Sequence, residues 1–329
     1  MSILKIGVIG TGVMGRGHAE FIRDHIPSAR VVAISDVDQS RMDSLVQDLG
    51  GDVSTFTSPE EMIKSVGLDA LIIASPDGLH VAHLRLAMAA NLPTLCEKPI
   101  ATNLEDARAI AGEIAIFESK LGKRSIHFGF MRRFDPSYIE LKSMIGSGAY
   151  GQALFVRTIT RNVSSIGITT EGLYTNIAVH DFDIWRWMLN DEWASVSSHY
   201  PKPSSLSPAG LIDPLVFSAK LLGGVLVVGD IVANNNYGYD LRTEVVCEKG
   251  SLEIGIFGDV IKRANHVAEV AIGGPMVKNW IPRFEDAYIA ELKAWVESVT
   301  TGNAHSDLAA SDDALAATEA CFLALKSIN

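Results

Sequence analysis

The chain has 329 residues, of which 47% are hydrophobic and 20% charged, and 28 Lys and Arg against 39 Asp and Glu leave a formal charge of −11. That apolar content supports two packed domains at roughly 150 residues each and excludes intrinsic disorder. The acidic balance argues against nucleic acid or an anionic membrane as partner, since both need clustered Lys and Arg.

The predicted elements start with an unbroken apolar strand at 4–9, so no secretory leader is expected, and helical periodicity follows over 13–25. A β-branched strand at 30–34 and a helix at 38–49 come next. Ser58, Pro59 and Glu61 signal a helix start through a cap, a proline in the first turn and an acid three residues on. Strands at 69–74, 92–96 and 126–130 alternate with helices at 79–90 and 103–120. Strands without polar alternation, separated by helices, predict a doubly wound parallel sheet covered on both faces.

Beyond about residue 150 the pattern changes. Strands are predicted at 153–160, 194–200, 215–222, 225–232, 241–247 and 251–256, with helices at 177–189, 289–299 and 307–327 and a long loop at 202–214. Gly223 and Gly224 form a hairpin turn. Consecutive strands predict an α+β domain with a large, mostly antiparallel sheet. No apolar run reaches the roughly 18 residues of a membrane helix. Cys96, Cys247 and Cys321 lack C-x-x-C spacing, which fits a reducing, cytoplasmic compartment. No His, Asp and Glu cluster has metal-ligand spacing, so no metal is expected.

The first strand runs into Gly10-Thr11-Gly12-Val13-Met14-Gly15, a G-x-G-x-x-G that opens a helix. The glycines permit a tight turn, backbone approach to a pyrophosphate and close helix–strand packing, while the helix N-terminus favours phosphate. Backbone donors thus let an acidic chain hold a dinucleotide. The second strand ends near Asp36, 21 residues after Gly15, at the spacing of the ribose-binding acid. A carboxylate there accepts from the 2′-hydroxyl of NAD and repels the 2′-phosphate of NADP, although Arg41 follows one turn later.

Two further constellations carry chemistry. Cys96-Glu97-Lys98-Pro99 ends a parallel strand on the side where α/β sheets bind ligands, and Lys98 can polarise a substrate oxygen there. Asn176, His180 and Asp183 lie within two turns of a predicted helix, and His180 is a natural proton acceptor near neutral pH. Trp185 and Trp187 read as core and interface residues, and His18, His80 and His83 as structural or solvent-facing.

GTGVMG, CEKPIAT, GFMRRFD and VHDFDIWRW together resemble the Gfo/Idh/MocA oxidoreductases, and most of all their inositol 2-dehydrogenase branch, over essentially the whole chain. The resemblance implies a Rossmann domain (1–124) and a substrate-binding and oligomerisation domain (125–329) whose open sheet joins copies into a dimer or tetramer. It implies hydride transfer from a secondary alcohol of a cyclic polyol to NAD. Lys98 would orient the hydroxyl and His180 take its proton, with Asn176 beside it. Arg132, Asn162, Asp183 and either Tyr237 or Tyr239 would hold the other hydroxyls. Ser75, Glu97 and Lys98 join the glycine loop and Asp36 as cofactor contacts.

The chain departs from that pattern at Asn176, where an Asp is usual, and at Thr160, where a His often precedes the Arg-Asn pair. Both departures leave open a dehydrogenase of another sugar, or a non-catalytic NAD- and sugar-binding regulator.

Overall fold

Residues 3–165, 167–235, 238–255 and 277–327 are described by the computed structural model. Among them the strands form two six-stranded sheets. The first half runs β1 (Leu4–Ile9), α1 (Val13–His25), β2 (Ala29–Ser35), α2 (Gln39–Asp48), β3 (Ser54–Phe56), α3 (Pro59–Ser65), β4 (Ala70–Ile73), α4 (His80–Ala89), β5 (Thr94–Glu97), α5 (Leu104–Leu121) and β6 (Ile126–Gly129). The sheet order is β3-β2-β1-β4-β5-β6 and its pairs are parallel. Chain direction across the sheet reverses between β1 and β4, which opens the crevice where such sheets bind dinucleotides. Every residue of β4, β5 and β6 is buried, hence their unalternating apolar sequences.

Local sequence sets the helix starts. Asp38 caps α2 by accepting from the Arg41 amide, Ser58 caps α3 at the Glu61 amide, and Asn103 caps α5 at the Asp106 amide. Each satisfies a first-turn donor that has no intrahelical partner, worth about 1 kcal/mol.

The second half contains α6 (Pro136–Gly146), β7 (Ala153–Arg161) and a three-residue α7 (Thr170–Gly172). A π-helical turn, Leu173–Ala178, leads from α7 into α8 (Val179–Leu189). Then follow β8 (Trp193–His199), β9 (Leu215–Leu221), β10 (Leu226–Val232), β11 (Asp240–Cys247), β12 (Gly250–Ile254), α9 (Trp280–Thr301) and α10 (Ser311–Lys326). The order is β12-β11-β7-β10-β9-β8, antiparallel except where β10 lies parallel to β7. Ile256, in the last predicted strand, lies outside the described residues. The β9–β10 hairpin turns at Gly224, whose φ of +97° suits glycine. The loop at 202–214 carries no helix or strand.

Two compact units divide the chain, and neither is contiguous. One is Met1–Phe134 with Asp286–Thr318, the other Asp135–Glu285 with Glu319–Asn329. Within the first unit the late segment is firmly attached. Phe128 donates to the Ala309 carbonyl (2.9 Å), Arg133 pairs with Asp313 (3.2 Å), and the Tyr288 ring packs against His18 and Phe21. Among the described residues no helix is long and apolar enough to cross a membrane.

Candidate active site

The glycine-rich turn lies between β1 and α1. Gly10 has φ +92°, and a Cβ there would stand 2.5 Å from the Ala74 carbonyl oxygen. A Cβ on Gly15 would stand 1.9 Å from the Gly10 carbonyl oxygen, so α1 can start against the turn only because Gly15 has no side chain. A Cβ on Gly12 would meet nothing within 4 Å, so the space over the helix start is open. Val13, Met14 and Gly15 lie in the first turn of α1, where amides have no intrahelical acceptor. Open space, backbone donors and the positive end of the helix dipole fit a pyrophosphate.

Asp36 follows β2 and is tied to this turn. Its Oδ2 accepts from the Thr11 amide (2.7 Å) and hydroxyl (2.9 Å), and its Oδ1 from the Asp38 amide (3.0 Å). Burial pushes Asp36 upward, but these donors and the Arg41 charge outweigh it and hold the carboxyl below the usual range. Arg41 itself pairs with Asp38 at 3.2 Å, which occupies the cation nearest in sequence to Asp36. Asp36→Ala is therefore expected to weaken NAD binding and to lower the NAD-over-NADP preference by about 10- to 100-fold, the worth of hydrogen bonds to a charged group. Paired titrations of both dinucleotides check this; an unchanged ratio overturns it.

Ser75, just beyond β4, and Glu97-Lys98-Pro99, ending β5, line the carboxyl edge of the same sheet. Lys98 is half-buried and precedes a cis peptide bond to Pro99. Glu97 is buried and its Oε1 accepts from His18 Nε2 at 2.8 Å. Burial pushes the Glu97 carboxyl upward, and the His18 hydrogen bond with the charges of His18, Lys98 and His80 brings it below its ordinary value. The Ser75 hydroxyl bonds to His83 Nδ1 at 2.9 Å. Burial, with a smaller contribution from the nearby His80, holds the His83 imidazole below its ordinary value. Arg132 is buried in the 3₁₀ turn Met131–Phe134 that follows β6.

The second unit holds the other candidates. Asn176 sits in the π-helical turn, half-buried, while His180 and Asp183 are buried on α8. Such π turns recur at functional sites. The start of α8 is fixed from two sides: Thr158 Oγ1 donates to Asp181 Oδ1 (3.0 Å), and Trp193 Nε1 donates to the Phe182 carbonyl (3.1 Å). Asn162 leaves the end of β7 beside the end of β10, with its amide donating to the Val232 carbonyl and its carbonyl accepting from the Asn235 amide. Because Asp240 pairs with Arg161, Tyr239 arrives at that same end of the sheet, buried, with its ring edge-on to Phe284 at 6.4 Å. Tyr237 lies outside the described residues. Trp185 is fully buried, and Lys142 Nζ stands 3.3 Å over the Trp187 ring.

Of the two readings of His18, His80 and His83, structural or solvent-facing, the structural one holds; what sequence reasoning missed is their grouping around Ser75 and Glu97. His18, His80 and His83 are all buried, and each bonds a group at the strand ends. Their spacing along α1 and α4, each falling on an inward face, was the available signal.

A six-stranded parallel sheet with this turn and this acid defines a Rossmann oxidoreductase that uses NAD. Residues 4–116 match the profile of the Gfo/Idh/MocA oxidoreductases, described as an NAD-binding Rossmann fold, and residues 138–253 match the Gfo/Idh/MocA C-terminal domain. Inositol 2-dehydrogenase 1 of Saccharopolyspora erythraea is 36% identical over 303 residues, spanning 92% of this chain and 87% of its own. An inositol 2-dehydrogenase of Corynebacterium glutamicum is 36% identical over 91% of this chain and 86% of its own. The crystal structure of myo-inositol dehydrogenase from Lactobacillus casei, in complex with NAD(H) and myo-inositol, aligns with TM-score 0.88 and 29% identity over 99% of this chain and 94% of that one. The chain belongs to the Gfo/Idh/MocA oxidoreductase family.

Proposed function

We propose that the protein oxidises a secondary hydroxyl of a cyclic polyol of the inositol type to a ketone. Bound NAD supplies the hydride acceptor. Lys98 orients the reacting hydroxyl and stabilises developing alkoxide, and an imidazole nitrogen of His180 takes the hydroxyl proton. Arg132, Asn162, Asp183 and one of Tyr237 and Tyr239 hold the remaining hydroxyls, while Asn176 fixes the imidazole through its amide. The carrying observation is the half-buried Lys98 at the end of β5, on the edge that bears the glycine turn, in a chain 36% identical over most of its length to inositol 2-dehydrogenases.

The test is NAD reduction by the purified protein across inositol stereoisomers, pyranoses and sugar acids. Turnover of an inositol supports the reading. NAD binding without turnover of any of them favours a regulator instead. A second reading, a different ring stereochemistry or another sugar, draws on Thr160, which is buried on the inner face of β7, and on Asn176. Neither supplies the charge that a His or an Asp would.

The outer face of the second sheet suits self-association. Phe155 lies opposite Leu226 on one side and Val246 on the other, which makes an apolar row across three strands. Light scattering is expected to show a dimer or tetramer, and Phe155→Glu to shift it toward monomer; an unchanged mass overturns this placement. Buried cysteines without a disulfide suit a cytoplasmic location.

A further inference from the structure

His80 begins α4 and is fully buried. Its Nδ1 lies 2.7 Å from the Pro99 carbonyl oxygen and its Nε2 lies 2.9 Å from the Ser75 carbonyl oxygen. Both ring nitrogens thus face carbonyl oxygens, and the imidazole spans the ends of two strands. One turn later on α4, His83 holds the Ser75 hydroxyl, so α4 grips Ser75 through both its carbonyl and its side chain. On the far side of the Lys98–Pro99 turn, Glu97 is held by His18. Lys98 therefore sits between two anchored neighbours, Glu97 and Pro99.

We infer that His80 is a positioning residue for Lys98: by bridging the Ser75 and Pro99 carbonyls it fixes the separation of the β4 and β5 ends and, through it, the place of the lysine ammonium. The catalytic consequence rests on the polyol dehydrogenase reading; the mechanical one does not. The turn leaves the sheet at Glu97, and beyond it the His80 ring meets the Pro99 carbonyl.

The test uses the full-length chain with His80→Gln, which keeps one donating group, and His80→Ala, which keeps none. Hydrogen exchange followed by mass spectrometry reads the backbone of residues 96–102 directly. Exchange there is expected to quicken about 10-fold in His80→Ala and less in His80→Gln, the order expected for losing a buried hydrogen bond. Peptides covering 10–36 should keep wild-type rates and the dissociation constant for NAD should change by no more than about threefold. With myo-inositol as the probe substrate, kcat should fall about 10-fold or more with little change in KM, and His80→Gln should recover part of the loss. Wild-type exchange at 96–102 in a folded His80→Ala protein overturns the inference. So does an equal rise across 10–36, because that reports general loosening. If His80→Ala does not fold, the comparison of His80→Gln with wild type decides on the same two readouts. A wild-type protein that turns over no polyol sinks the proposed function alone, since the exchange result still reads the strut.

Discussion

His180→Gln is expected to lower kcat for polyol oxidation by about 10²- to 10⁴-fold, the usual contribution of a positioned general base. A secondary alcohol is a very weak acid, so its proton must leave to a base as the carbon gives up its hydride. Imidazole is suited to that transfer near neutral pH. Glutamine keeps the length and polarity of the side chain but cannot take the proton. The helix around it should survive, because α8 is anchored at the next two residues by the Thr158–Asp181 and Trp193–Phe182 hydrogen bonds. The glycine turn and Asp36 belong to the other compact unit, so the affinity for NAD should stay within about threefold of wild type. Steady-state kinetics and an NAD titration on the same preparation give both numbers. A kcat within threefold of wild type would remove His180 from the role of proton acceptor.

Gly15→Ala and Gly12→Ala should both abolish tight NAD binding, for different reasons. At Gly15 the new methyl would lie 1.9 Å from the Gly10 carbonyl oxygen, a backbone atom that can move only if the turn or α1 moves. Overpacking of this kind costs about 1–3 kcal/mol or more, so the melting temperature should drop by roughly 5–10 °C. At Gly12 the methyl meets no protein atom, and φ of −67° is ordinary for alanine. Stability should stay near wild type while the methyl occupies the space over the helix start. Both variants are expected to weaken NAD at least 100-fold, with only Gly15→Ala melting early. Equal melting temperatures for the two would contradict the packing account, and near-normal NAD binding by Gly12→Ala would contradict the phosphate cradle.

The sequence was legible where a residue type is demanded by local geometry. Gly10 and Gly15 declare themselves because no side chain fits there, Gly12 because it keeps the space over the helix start open, and Asp36 because its distance from them is set by one helix and one strand. The buried strands β4 to β6 were readable from their unalternating apolar runs. What stayed hidden depends on contacts distant in sequence. That His18 reaches Glu97, 79 positions away, or that His80 reaches Pro99, follows only once the strand order is known. The π-helical turn that carries Asn176 has no sequence signature, and the helix predicted from periodicity starts only at 177. The short β3 and the amphipathically weak α6 also escaped prediction, since neither has a strong period. A change of strand pattern near residue 150 marks a second architecture, but nothing in composition shows that the chain returns to the first unit at Asp286.

That return has a consequence for biosynthesis. The strands of the NAD-binding unit leave the ribosome before the second unit does, yet Tyr288, Ala309 and Asp313, which contact His18, Phe128 and Arg133, follow most of that second unit. The nucleotide-binding half is therefore begun before the second unit and completed after most of it. Until α9 and α10 emerge, the nascent chain exposes the apolar and charged surfaces that those residues will cover.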